Sequence, residues 1–365
     1  MKMRLLTEGW IRLRRFLCPH CGNEVHFGNS QCVRCSALLG YLPSRDQLLM
    51  IPADQNPFNG SGAYLKTCAN RDLIGCNWLS ESSDEELCLS CRHTTKISDI
   101  SDEINLVRWA RLERAKRRLF YSIIKFRLPL ENGPDGSSGL LRFNLLSDKI
   151  RPDGKTERIM TGHYNGRITI NIAEADDAIR EKNRTEMGEP YRTLIGHFRH
   201  EVGHYYWDKL ISEQNVAEEF RAVFGDERRD YSKSLKTYYK NGPAANWQNS
   251  YVSAYASAHP WEDFAETWAH YFHMVGGLET AYAYRLDPQP LMANEPRLIQ
   301  LEDPYHVLDV QQLIDHWIPL TVAMNAMNRS IGNHDYYPFV LAEVTLGKLK
   351  YIHDLIVANE VPFAA

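Results

Sequence analysis

Every cysteine in this 365-residue chain lies between residues 18 and 91, and that crowding dictates how the first quarter can fold. Cys18, Cys21, Cys32 and Cys35 form a C-x2-C-x10-C-x2-C pattern; Cys68, Cys76, Cys88 and Cys91 form C-x7-C-x11-C-x2-C. Two thiolate pairs, each split by two residues, can turn four sulfurs toward one tetrahedral ion, which fits structural zinc better than disulfides or a redox pair. Gly22 suits the tight turn after the first pair. The second set is looser, and an interleaved pairing between the two sets stays open. The surrounding segment is loop-rich and poor in apolar residues, so metal would supply the stability that a core does not. A closed four-thiolate site has no position for substrate, so these cysteines predict one or two structural zinc ions and no catalysis.

Clustered thiols favour a reducing, cytoplasmic compartment over a disulfide framework. The N-terminal MKMRLLTEGWIRLRRFLCPHC has no long apolar run before a small-residue cleavage site, so it does not read as a secretory signal. No stretch approaches the roughly eighteen apolar residues of a membrane span. The net charge of -4 argues against binding nucleic acid through the overall field. The balance is uneven, however: Lys2, Arg4, Arg12, Arg14, Arg15 and Arg34 face only Glu8 and Glu24 in the first 35 residues.

Past the cysteines, a helix is expected over about residues 101–127, with Ser101, Asp102 and Glu103 at its start. Trp109, Leu112, Leu119, Ile123 and Phe126 recur on one face, and Arg108, Arg111, Arg114, Lys116, Arg117 and Arg118 load the rest. ENGPDGSSG, residues 131–139, reads as a linker. The alternating, β-branched run Arg167–Ile172 reads as a strand. Helices follow over about 190–211, with Pro190 near the start, and over about 259–285. The stretch 305–358 is expected to be helical with breaks at Pro319, Gly332 and Pro338.

The chemistry concentrates in Arg199-His200-Glu201-Val202-Gly203-His204. Residues four apart share a helical face, so His200 and His204 can present two imidazoles to one metal. Glu201, one position on, projects beside the metal, where it can take a proton from a bound water. Leu194, Ile195, Phe198 and Val202 supply an apolar face that buries the helix. A catalytic zinc needs a third ligand and one open position. The run His259-Pro260-Trp261-Glu262-Asp263-Phe264-Ala265-Glu266 offers two carboxylates four apart: one can bind metal while the other holds a ligand histidine. Spacing alone does not choose between Glu262 and Glu266, and His270 shares their stripe.

These two segments together resemble gluzincins, in which a HExxH helix is followed by a helix carrying a third ligand in a Glu-x-x-x-Asp or Glu-x-x-x-Glu pattern. The resemblance implies Glu262 as ligand and Glu266 as the residue orienting a ligand histidine, Asp being the commoner residue at the later position. It also implies a tyrosine shortly before the glutamate that stabilises the oxyanion; Tyr255 stands there, with His259 as another donor. The strings CPHCGNEVHFGN, CNWL, YRTLIGHFRHEVGHYYW, HPWEDFAETWAHY and NRSIGNHDYYPFVL are similar to those of bacterial zinc-binding metallopeptidases with an N-terminal zinc ribbon.

The expectation is therefore an α+β protein. A first zinc ribbon covers 1–45, a second Cys-rich zinc-binding segment 46–97 and a connecting helix 98–130. A mainly helical, zincin-like domain with a small β-sheet covers 131–365. Its function would be zinc-dependent hydrolysis, with Glu201 as general base on a metal-activated water and a peptide or protein as substrate. By analogy with zincins, the strand Arg167–Ile172 would pair with an extended peptide. Two other classes remain open: a zinc-ribbon adaptor binding nucleic acid or protein, favoured by the basic segments, and a zinc hydrolase acting on another amide or ester.

Overall fold

The computed structural model describes residues 15–53, 55–60, 62–130, 140–151, 153–181, 193–212, 216–286 and 303–362. The linker residues 131–139 and Pro190 lie outside them. The architecture is α+β, a Cys-rich N-terminal region of small hairpins followed by a mostly helical region.

In the N-terminal region, Phe16–Leu17 pairs with Glu24–Val25, and Leu39–Leu42 with Gln47–Met50. Phe58–Gly60, Ala63–Thr67 and Leu79–Ser80 form a three-stranded sheet. Gly22 has φ +70, a left-handed conformation that lets the chain reverse after Cys21. Its apolar side chains gather in two places: Leu42, Ile51, Phe58, Leu65 and Leu79 pack together between the hairpins, and an aromatic cluster faces the rest of the chain. Phe27 meets Tyr41 edge-on at 4.8 Å and Tyr121 of the following long helix at 5.1 Å.

That helix, α1 (Glu103–Lys125), starts where the Asp102 carboxylate accepts the Ile104 N–H. Four strands form the sheet of the larger region: β1 (Thr94–Ile97), β2 (Arg142–Leu146), β3 (Gly162–Tyr164) and β4 (Arg167–Asn171). Their order is β3-β4-β2-β1, with β3/β4 antiparallel and the other pairs parallel. Two features depart from the reading of the sequence. First, β1 begins three residues after Cys91, so the Cys-rich region supplies an edge strand to the sheet of the larger one. Second, β4 lies between β3 and β2. Both its edges are hydrogen-bonded, so Arg167–Ile172 has no free edge on which to add a peptide strand.

The helices are α2 (Leu194–Trp207), α3 (Ala217–Phe224), α4 (Tyr231–Asn241), α5 (Pro260–Ala283), α6 (Val310–Ser330) and α7 (Glu343–Ala358). Thr193 caps α2 by accepting the Gly196 N–H, and the helix passes into a π-turn over Asp208–Ser212. Phe198 of α2 packs on Phe143 of β2, and Tyr206 stacks on Trp268 of α5 at 5.0 Å, so α2 sits between the sheet and α5. Inside this core, Lys348 of α7 reaches the buried Asp263 carboxylate at 2.6 Å and ties α7 to α5.

Pro319 does not break its helix; α6 runs through it. A mid-helix proline costs about 3 kcal/mol. Leu313, Ile314, Trp317, Leu320 and Thr321 around it are all buried, and their packing outweighs one lost hydrogen bond.

The basic face of α1 is largely spent inside the protein. Arg108 pairs with Asp176, Arg111 donates to the Ala175 carbonyl at 3.2 Å, Lys116 pairs with Glu113, and Arg117 is buried. Arg114 and Arg118 stay exposed, and Lys2, Arg4, Arg12 and Arg14 lie outside the described residues, so α1 by itself offers a polyanion a reduced basic face. No helix among the described residues is long and apolar enough to cross a membrane.

Candidate metal centre and active site

Both cysteine sets converge. Cys18–Cys35 and Cys21–Cys32 are each 3.7 Å apart between sulfurs, as are Cys76–Cys88 and Cys76–Cys91. Four sulfurs each about 2.3 Å from a central ion would be about 3.8 Å from one another, whereas a disulfide would bring two to about 2.05 Å. The sets do not interleave, and every cysteine is free. The second set is buried throughout. Cys91 lies 3.9 Å from Glu113, which also bonds Trp109, Thr94 and Lys116. Arg117 of α1 acts on Cys76 as a nearby cation, while the buried Lys116 neutralises Glu113.

The third convergence is His200, His204 and Glu262, whose ligand atoms lie within 4.8 Å of one another. Helix α2 places the two imidazoles one turn apart, and α5 crosses it so closely that a side chain would not fit between them. A Cβ on Gly203 would lie 3.0 Å from the Ala265 Cα and 3.3 Å from its carbonyl oxygen. Gly203→Val should therefore push α5 off α2 and lose about 1–3 kcal/mol of stability. Thermal unfolding compared with wild type checks this; an unchanged midpoint would mean that the helices are free to separate.

Glu262 Oε2 lies 3.1 Å from His200 Nε2 and 3.5 Å from His204 Nε2. It is buried and accepts no hydrogen bond among the described residues. His200 Nδ1–H donates to Glu266 Oε1 at 2.7 Å, and Glu266 Oε2 accepts from Ser253 Oγ at 2.5 Å. With its proton on Nδ1, neutral His200 turns a lone pair toward the lone pairs of Glu262. That arrangement calls for positive charge between them, either a second proton on His200 or a metal ion, and only the metal ion also serves His204. The distances suit one: ligand bonds of about 2.0–2.1 Å in a tetrahedron put donor atoms about 3.3 Å apart. Charge balance agrees. Burial opposes charge on His200, yet the Glu262 and Glu266 carboxylates hold its pKa well above the ordinary value. Burial likewise works to raise the Glu262 pKa, but His204 and His200 hold it well below the usual range. A divalent ion satisfies both without an extra proton.

His204 is positioned by packing. Its ring lies 3.7 Å from the Trp261 ring on one side, and His163 stacks on it at 6.4 Å and 23°. His163 sits on the sheet-edge strand β3. Its Nε2 accepts the Gly166 N–H at 3.0 Å, and burial, then the neighbouring His204, depress its pKa to about 3. It is therefore a neutral wall of the site. The Glu201 carboxylate is buried on the same helix. Tyr255, in the turn before α5, has its ring 6.0 Å from that of His200. Burial, with Glu262 and Glu201 nearby, pushes its pKa well above the ordinary value, so its hydroxyl is a donor.

Two other candidates are committed elsewhere. His259 caps α5: its Nδ1 accepts the Trp261 N–H and its Nε2–H donates to the Arg229 carbonyl, which leaves no nitrogen for an oxyanion. His270 points to the Tyr337 hydroxyl at 2.8 Å and lies outside the ligand group. Besides His163, Tyr231 enters the site without having been singled out in the sequence: its hydroxyl donates to Glu262 Oε1 at 2.6 Å.

A family model described as "Putative zinc-binding metallo-peptidase" matches residues 105–355, and one described as a zinc-ribbon domain matches residues 15–102. The chain belongs to this zinc-binding metallopeptidase family. An uncharacterised protein of Mycobacterium tuberculosis H37Rv is 40% identical over 346 residues, 94% of this chain and 95% of its own length. A Mycobacterium bovis relative, also uncharacterised, gives the same figures. No solved structure matches the chain. The two family descriptions and the four-cysteine clusters support zinc binding.

Proposed function

We propose that this member of the family is a zinc-dependent peptidase of gluzincin type, with one catalytic ion held by His200, His204 and Glu262 and a structural ion in each cysteine set. The observation that carries the catalytic site is the buried Glu262 Oε2, faced by two imidazole nitrogens while His200 keeps its proton on the Glu266 side. Bound zinc supplies Lewis acidity, which acidifies a water and polarises the scissile carbonyl. Glu201, buried beside the two histidines, takes the proton from that water and passes it to the leaving amine. The protonated Tyr255 hydroxyl donates to the oxyanion; losing one such donor costs about 10²–10³ in rate. Glu266, anchored by Ser253, holds the His200 ring so that Nε2 faces the metal. The substrate strand is taken by β3, which pairs on one side only among the described residues and carries His163 to the metal ligands.

The test is a metal count joined to a peptide-library cleavage screen on wild type, Glu262→Ala and Glu266→Ala. Wild type is expected to hold up to three zinc ions and to cleave. Glu262→Ala should lose one ion and all cleavage, while Glu266→Ala should weaken zinc binding at that site by about 10–100-fold. Equal zinc content in wild type and Glu262→Ala would reject the ligand set, and a zinc-loaded wild type that cleaves no peptide would reject the peptidase reading.

A further inference from the structure

We infer that Tyr231 is a positioning residue for the metal and that helix α4, which it begins, is a flap linked to the ligand Glu262 by this hydroxyl. The inference rests on the ligand set proposed above and adds to it a regulatory contact. Glu262 has two oxygens with different work. Oε2 faces the two imidazoles, and Oε1 accepts the Tyr231 hydroxyl at 2.6 Å. Only 1% of the Glu262 surface is exposed, so without that donor Oε1 would be a buried carboxylate oxygen lacking its bond. The carboxylate could then rotate, presenting either or both oxygens to the metal. By holding Oε1, Tyr231 would leave Oε2 as the oxygen offered to a metal.

The element carrying this hydroxyl is otherwise weakly attached. None of the residues of α4 is buried, and Tyr231 is itself 36% exposed. The segment turns at Gly225 (φ +96) and Gly242 (φ +81), conformations that side-chain-bearing residues rarely adopt. The segment is held by contacts around the site: His259 holds the Arg229 carbonyl, the Tyr231 ring meets those of Trp261 at 5.6 Å and His259 at 5.3 Å, Tyr238 meets Tyr255 at 5.6 Å, and Ala244 N–H reaches Ser257 Oγ. All of them flank the metal centre, so α4 covers it. Elements with little buried surface open at low free-energy cost. Because one hydrogen bond joins flap and ligand, coupling runs both ways: zinc fixes the carboxylate and seats α4, and a seated α4 tightens zinc.

Tyr231→Phe removes only the hydroxyl. Zinc affinity of the catalytic site, measured by chelator competition, is expected to fall about 10–100-fold, as for loss of a partner that orients a ligand. Hydrogen exchange gives a second readout. In wild type, zinc loading should slow amide exchange over 231–241; in Tyr231→Phe it should not. Unchanged zinc affinity in the variant, or zinc protection of α4 that survives the substitution, overturns the inference. A fall in kcat with zinc affinity intact would do so too, because it would make Tyr231 a catalytic donor and not a positioning residue. If wild type and His204→Ala hold the same amount of zinc, the ligand set itself fails, an outcome distinct from all of these.

Discussion

Glu201→Gln should bind as much zinc as wild type and lose at least about 10²–10⁴ of the hydrolysis rate, the usual share of a general base. The side chain keeps its shape and can still accept a hydrogen bond, but it no longer takes a proton. It is not among the three residues whose donor atoms converge, so the substitution leaves the donor set intact. The buried position sharpens the expectation, since a water brought in from solvent has little room to replace the carboxylate. Zinc analysis and peptide cleavage on the same preparation check both halves. Zinc lost along with activity would move Glu201 into the ligand set; activity retained with zinc would place the base elsewhere, Glu266 being the other carboxylate beside His200.

The contrast between Glu201 and Tyr231 shows which parts of the site a sequence displays. His200, Glu201 and His204 are local: a helix of 3.6 residues per turn fixes where they point before any tertiary contact forms. Glu262 and Glu266 are legible for the same reason, as a pair one turn apart among apolar neighbours. Which of the two faces the imidazoles depends on how α5 crosses α2, and that is set by Gly203 against Ala265, a contact without periodicity. Tyr231 reaches Glu262 from a separate helix 31 residues away, and one tyrosine among nineteen carries no mark of that contact. His163 is similar: it sits in a three-residue strand, too short for alternation to reveal.

At the level of the fold, the long helices were legible from apolar spacing and caps, while the sheet was only partly so. Arg167–Asn171 announced itself by β-branched alternation, but its place inside the sheet did not. Thr94–Ile97 is a short, mostly exposed strand directly after Cys91, where the cysteine pattern dominates the reading. Pro319 misled because a local rule was overridden by the buried residues on both sides of it.

That short strand leads to the second large effect: Cys91→Ser should destabilise the whole chain, by the several kcal/mol typical of losing a structural zinc ligand. Cys91 is fully buried, and three residues later the chain enters β1, the edge strand paired with β2. The same cysteine touches Glu113, which joins Lys116, Thr94 and Trp109 in a buried network on α1. Loss of the metal would leave that network facing uncompensated thiolates in the core, and its charges cannot move to solvent without unseating α1. Helix α1 in turn carries Phe126 against Phe272 of α5, the helix that bears Glu262. The first set is placed differently. Cys21 and Cys35 are partly exposed, and the set meets the rest of the chain through the Phe27–Tyr41–Tyr121 cluster and through Arg71 and Asn77, which donate to carbonyls of the first ribbon. Cys18→Ser should therefore loosen the first hairpins and leave residues 140–365 folded. Limited proteolysis with fragment mapping, run beside thermal unfolding, separates the two. Cys91→Ser should expose sites in the helical region at temperatures where Cys18→Ser exposes only N-terminal ones. Equal protection of residues 140–365 in both variants would show that the second metal site stabilises its own hairpins and nothing beyond them.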